Sequence, residues 1–210
     1  MIRFLIIILS VLIISSCKNR PGATTQRIVP GSAITGSQTI SGDTVRIDLN
    51  RSIINWKGTK MYGAGKHEGT VEFEDGYFII QQGQLKGGSF LVDMSTLAVT
   101  DIPEHEPIPR KRLNDHLKSS DFFEINTYPK AGFDFTSIEN TDRDSIRVKG
   151  NLTIKQITHA IEFTAVYSEK IFETNFVFDR FKWNIGYKGS IADKTLVDKE
   201  IELKIRLKHH

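Results

Sequence analysis

Few side chains in this sequence are placed for chemistry, and they fall into four groups. Cys17 is the only thiol, and it follows an apolar run, a setting for covalent modification and not for a nucleophile paired with a base. His67 lies in Gly65-Lys66-His67-Glu68-Gly69. On a strand it shares parity with Gly69, Val71 and Phe73 and points inward, with Lys66 pointing out. A neutral imidazole there could donate to a ligand oxygen, or be satisfied by a core partner as buried polar groups commonly are. Arg110, Lys111, Arg112, His116 and Lys118 crowd one short stretch. Arg110, Arg112 and His116 are candidates for a charged head group through charge-assisted hydrogen bonds, and the alternative is a solvated basic face. Asp101, Glu104, His105, Glu106, Asp115 and His116 carry metal-ligand atoms, but their spacing fits no H-E-x-x-H or other tight motif. No metal or other cofactor is expected. Neither G-x-S-x-G nor a phosphate-cradling Gly loop occurs, so no catalytic residue is assigned and the chain reads as a binding protein, not an enzyme.

These groups sit in a chain of 210 residues that is 39% hydrophobic, 25% charged and +3 in net charge. That suits one globular domain and gives no reason to expect a nucleic-acid partner. Met1-Ile2-Arg3, the apolar residues 4–14 and Ser15-Ser16 have the three-part anatomy of a secretory signal. The apolar run is short of the ~20 residues of a membrane-spanning helix. Ile14-Ser15-Ser16-Cys17 resembles a bacterial lipobox, where the Cys is joined to diacylglycerol and becomes the first residue. Two or more acyl chains anchor stably where one does not. The expected location is the cell envelope, lipid-anchored to a bacterial membrane through Cys17. By resemblance to lipoprotein sorting signals, Lys18 in place of Asp does not favour inner-membrane retention, so the outer membrane is expected, on its periplasmic or surface face. Residues 18–43 are rich in Gly, Ser, Thr and Pro without an aromatic, so they read as a flexible tether of roughly 28 Å end to end.

From residue 44 the apolar pattern has period two. Val45, Ile47 and Leu49 alternate, and so do Val71 and Phe73, which precede Asp75-Gly76, a strong hairpin signal. A turn there pairs Phe73 with Phe78 and Val71 with Ile80. Further alternating runs include Phe90, Val92 and Met94; Phe133 and Phe135; Ile161 and Phe163; Phe176 and Phe178; and Ile201 to Leu207. One helix is expected near 109–119, from Pro109 and the Leu113/Leu117 spacing. Eight or more strands with one helix indicate an all-β antiparallel barrel or sandwich. Trp56, His67, Val71, Phe73, Phe78, Phe90, Val92, Phe133, Phe135, Phe163, Phe176, Phe178 and Trp183 form an inward set that either packs a core or lines a pocket with sparse polar anchors. Asp121-Phe122-Phe123 reads as a turn followed by a plug for one barrel end. His209 and His210 receive no role.

Several segments match a known family in order. Ser52 to Gly58 (SIINWKG), Gly65 to Gly69 (GKHEG), Gly87 to Met94 (GGSFLVDM), the stretch from Leu113 through Phe123 and on to Tyr128-Pro129-Lys130-Ala131-Gly132-Phe133, and Gly150 to Lys155 (GNLTIK) with Thr158-His159 resemble the YceI-like proteins, often described as polyisoprenoid-binding. The resemblance covers residues 44–208. It implies an antiparallel eight-stranded lipocalin-like β-barrel with one short helix, holding an isoprenoid or other long-chain lipid, and it brings no catalytic residues. The lipobox departs from the family's commoner secreted members. The alternative is a structural or interaction lipoprotein with a filled barrel. The sequence leaves a homodimer open.

Overall fold

Strands with one dry and one wet side must either close into a ring or lie against a second layer. Here they close. The structure, a computed structural model, describes residues 25–35, 41–186 and 197–210; the expected signal segment, Cys17 and residues 18–24 lie outside the described residues. Three short strands come first, β1 (Gln26–Arg27), β2 (Gly31–Ser32) and β3 (Asp43–Arg46). Eight longer ones follow: β4 (Ile53–Lys60), β5 (Gly65–Gln81), β6 (Gln84–Val99), β7 (Lys130–Asn140), β8 (Ser145–Ile154), β9 (Ile157–Ser168), β10 (Ile171–Asp179) and β11 (Val197–Lys208). Each of these eight is antiparallel to its neighbours along the chain, and β11 returns to β4 to complete the barrel. Helix α1 (Pro107–Lys118) stands between β6 and β7. It starts two residues before the expected Pro109, because Pro107 fills the first helical position, where a missing N–H leaves no bond unmade.

The turn expected at Asp75-Gly76 is instead the middle of β5. The chain reverses at Gln82-Gly83, both left-handed with φ of 52° and 75°, as a two-residue type I′ hairpin requires. Phe73 therefore faces Val92 and Phe78 faces Gly88. The Asp75 carboxylate accepts the Gly76 N–H at 2.7 Å and a bond from the Arg46 guanidinium at 2.6 Å, and the ladder slips between Phe73 and Asp75. The slip inserts one residue and reverses parity. Phe73 and Phe78, five residues apart, consequently both turn inward and are buried. Gly76 is needed at the slip, since a Cβ there would lie 2.6 Å from the Phe90 ring.

Two further sequence expectations change. Leu49 leaves the strand pattern for a 3-10 turn (Leu49–Arg51) and is exposed. Residues 25–35, assigned above to the tether, lie against the barrel: β1 runs parallel to β10, β2 antiparallel to β9, and Ile28 is buried. Such a segment has too little apolar surface to fold on itself, but it needs only a free strand edge and one apolar residue to dock. One end of the barrel is packed shut by Phe78, Phe90, Phe135, Phe172, Tyr167 and His209, whose rings meet at centroid distances of 5.1–6.3 Å.

Candidate functional site

Above that packed end the barrel is hollow. The cavity encloses about 200 Å³. Val71, Phe73, Phe90, Val92, Phe133 and Phe135 line one side, from β5, β6 and β7. Phe163, Phe176 and Phe178 face them from β9 and β10, and Ile201, Leu203, Ile205 and Leu207 from β11. Trp56 completes the wall. Its ring lies over Gly69, where a Cβ would come within 2.5 Å of it and 1.8 Å of the Ala98 carbonyl, and its Nε1 donates to the Thr70 carbonyl at 3.3 Å. The roof is α1 with the segment after it, contributing Leu113, His116, Leu117, Phe122 and Phe123. Phe122 and Phe123 meet edge to face at 5.4 Å, so the plug expected from Asp121-Phe122-Phe123 is there.

The roof is fastened by bonds the sequence did not announce. Asn114 Oδ1 accepts the Val99 N–H at 2.9 Å, Arg110 Nε donates to the Val99 carbonyl at 3.0 Å, and Lys118 Nζ to the Ser95 carbonyl at 2.7 Å. Lys155, buried in the left-handed turn Lys155-Gln156, donates to the carbonyls of Phe122 at 3.1 Å and Asn184 at 3.2 Å. These contacts correct the basic cluster. Arg110 is committed to Val99, and Arg112 is exposed on the outer face of α1. Of the three head-group candidates, His116 alone reaches the cavity.

Two aromatic candidates are also corrected. Phe78 is fully buried in the packed end, and Trp183 is the last residue of the 3-10 turn Arg180–Trp183, buried edge-on against Phe178 with its Nε1 donating to the Leu152 carbonyl at 3.1 Å. Neither lines the cavity. Their inward parity was sound, but parity does not tell a packed layer from an open one.

His67 does line the cavity, near Thr59, Lys60, Asp198 and Glu200. Its Nδ1 lies 3.0 Å from Asp101 Oδ2, while Asp101 Oδ1 accepts the Glu68 N–H at 3.1 Å. Asp101 is thus fixed from both sides. A carboxylate only accepts, so Nδ1 carries the shared proton, and in the neutral tautomer this leaves Nε2 as an acceptor. This reverses the donor role expected from sequence. Arg180, missed in the sequence, is buried at the same end and donates to three carbonyls, those of Ile185, Asp198 and Val197, at 2.8–3.0 Å. Burial pulls its guanidinium below the ordinary value against the opposing charges of Asp179 and Asp198. The Asp198 carboxyl is held below its usual range by the Thr59 hydroxyl first, then by the amides of Tyr62 and Gly63. The Arg180 guanidinium is thus occupied by protein partners.

A closed antiparallel barrel, packed at one end, roofed by a helix and hollow between, is a lipocalin-like barrel. The profile of the YceI-like domain matches residues 45–209, and the chain belongs to that family. A UPF0312 protein of Pseudomonas putida (strain W619) is 24% identical over 117 residues, 56% of this chain and 57% of the relative. A UPF0312 protein of Ectopseudomonas mendocina (strain ymp) is 25% identical over 143 residues, 67% of this chain and 70% of the relative. The chain therefore spans little more than half the length of the first of these relatives. Among solved structures, BcnA of Burkholderia cenocepacia superposes with a TM-score of 0.65 at 21% identity, over 77% of this chain and 98% of BcnA. The Campylobacter jejuni YCEI protein that crystallizes with large solvent channels gives 0.51 at 16% identity, over 86% and 91%. At these identities the likeness is one of fold.

Proposed function

We propose that the barrel binds, stores or carries a long apolar molecule, polyisoprenoid-like or another long-chain lipid, and does not transform it. The cavity carries this reading. Apolar cavities of about 150 Å³ already stay dry and accept apolar guests, and this one, of about 200 Å³, has aromatic and aliphatic walls with few polar groups, most of them near His67 and Arg180. A filled barrel would instead have its opposing side chains in contact throughout. The polyisoprenoid preference comes from the YceI-like resemblance and fits walls that grip a chain without reading its length. We further propose that the protein is a cell-envelope lipoprotein anchored through Cys17, on the strength of residues 1–17. With residues 25–35 docked, the seven residues 18–24 span at most about 25 Å, so the anchor would hold the barrel close to the membrane.

Solvent extraction of natively purified protein followed by mass spectrometry is expected to release a long-chain lipid. An empty extract, together with no uptake of offered isoprenoid alcohols, would overturn the binding reading. Cys17→Ser is expected to move the protein from the membrane fraction to the soluble fraction, and unchanged membrane partition would overturn the anchor.

A further inference from the structure

The barrel wall has one seam that its own strands do not close. β9 and β10 exchange backbone bonds over Ile171–Glu173 and Val166–Ser168 only. Beyond Glu173 the two strands part, β10 following β11 and β9 following β8. What fills the opening is the segment 25–34. Gln26 and Arg27 pair with Phe176 and Val177, and the Ile28 N–H donates to the Val177 carbonyl at 3.0 Å. On the other side the Gln26 side-chain amide imitates a strand, donating to the Thr164 carbonyl at 2.6 Å and accepting the Thr164 N–H at 2.7 Å. One extended segment thus spans both edges, which sets their separation at roughly two strand spacings, about 10 Å.

The seam leads into the cavity. Phe163 on β9 and Thr174, Phe176 and Phe178 on β10 border it and line the interior. Phe163 and Phe176 stack across it at 5.1 Å as an inner layer, and the Thr174 hydroxyl bonds the Thr164 carbonyl at 2.9 Å. We infer that the seam between β9 and β10 is a lateral port through which a long apolar chain passes, and that residues 25–34 are the removable stave that closes it. This rests on the lipid-binding reading above.

The two candidate covers differ in how they are held. The helical roof is fastened by the buried Lys155 and by Asn114, Arg110 and Lys118. The stave has one buried apolar side chain, Ile28, two strands of two residues each, an exposed ion pair between Arg27 and Glu200, and exposed side-chain bonds of Thr25 with Glu202 and Asn175, of Gln26 with Thr164, of Ile34 with Asn151 and of Gly31 with His159. Segments with few buried contacts and exposed hydrogen bonds open first. With the stave displaced, the Phe163–Phe176 stack and the Thr174–Thr164 bond still cross the seam, so passage of an unbranched or methyl-branched hydrocarbon requires these side chains to rotate aside, a motion within the reach of side-chain rotamers. Motion of the stave also needs no break in the eight-stranded ladder.

The test fastens the stave. Arg27 and Val177 face each other on adjacent strands and both lie on the outer side, at a spacing that suits a disulfide. In the full chain carrying Cys17→Ser, Arg27→Cys with Val177→Cys is compared oxidised and reduced, with retinol as a fluorescent isoprenoid probe in stopped flow. Oxidation is expected to slow uptake and release at least tenfold at unchanged final binding, and reduction to restore both. Equal rates in the two states, with normal binding, overturn the port and leave the lipid-binding reading standing. Absence of retinol uptake by the parent chain overturns both. The reduced form controls for folding, and Gln26→Ala with Arg27→Ala provides the opposite arm: a loosened stave is expected to speed uptake several-fold, and an unchanged rate counts against the port.

Discussion

His67 and His209 show how one residue type acquires two jobs from its surroundings. At the mouth, Asp101 binds Nδ1 of His67, and in the neutral tautomer this leaves Nε2 as an acceptor, which favours a head group with a hydroxyl over one with only acceptor oxygens. An isoprenoid alcohol such as geranylgeraniol is expected to bind about fivefold tighter than its methyl ether, the worth of one net hydrogen bond. His67→Phe should erase the difference in a competition assay; equal affinities in the parent chain would remove His67 from head-group recognition. At the packed end, His209 lies against Phe78 and bonds the Tyr167 hydroxyl at 2.9 Å. Burial, opposed by the His210 carbonyl, holds its pKa below the ordinary value, and burial likewise raises that of Tyr167. The unfolded chain then takes up a proton near the ordinary value of about 6.5 while the folded chain does not. Stability is therefore full above that pH and declines as pH falls below it toward the folded value. Asp75, Asp198, Glu200 and Glu202 are held low mainly by partners at Arg46, Thr59, Arg27 and Lys57. They lose their contributions only at more acid pH, below the ordinary carboxylate range. Thermal unfolding is expected to show a lower midpoint at about pH 5.5 than at pH 7.5, and His209→Gln to flatten that slope. A variant as steep as the parent would refute the assignment.

Among the elements, β5 and its turn show which local signals carry weight. Asp-Gly is a strong turn pair, yet here Asp75-Gly76 serves a bulge because Arg46 on β3 claims the carboxylate and Phe90 needs the space above Gly76. The hairpin falls to Gln82-Gly83, whose first residue has no special tolerance for positive φ. Asn does have it. Gln82→Asn is thus expected to stabilise the barrel by about 0.5–1 kcal/mol, read as a higher urea midpoint; a lower midpoint would mean that the Gln82 side chain has a role of its own. The turns Lys155-Gln156 and Glu169-Lys170 likewise hold two non-glycine residues at positive φ. Neither carries turn-type residues, so neither is legible as a reversal in the sequence. Strand register, set by the long ladders on either side, dictates such reversals against local preference.

For the molecule as a whole, the cavity and the seam are properties of closure. Eight strands leave an interior that side chains may fill or leave open, and here both occur. Aromatic rings fill one end, and the same residue types line the hollow at the other. The seam arises because β9 and β10 each take their long ladder with another neighbour, and the chain's own residues 25–34 supply the missing stave. Under the anchor proposed for Cys17, a stave that begins at residue 25 would tie membrane attachment to the wall of the cavity, a link that a free tether of 26 residues would not make.

The amino-acid sequence alone determined the strand class, the inward face and most of the cavity wall. The reason is that period-two burial depends on each residue's neighbours along its own strand, and eleven of the thirteen inward candidates, Trp56 and His67 among them, do line the cavity. Only the tertiary structure decided that Phe78 and Trp183 are packing, that Arg110 holds the roof while Arg112 faces water, that Asp101 sets the His67 tautomer, and that residues 25–35 belong to the wall. Each of these depends on a partner many residues away, brought within 3 to 6 Å by closure of the barrel, and no pattern along the chain encodes such a distance.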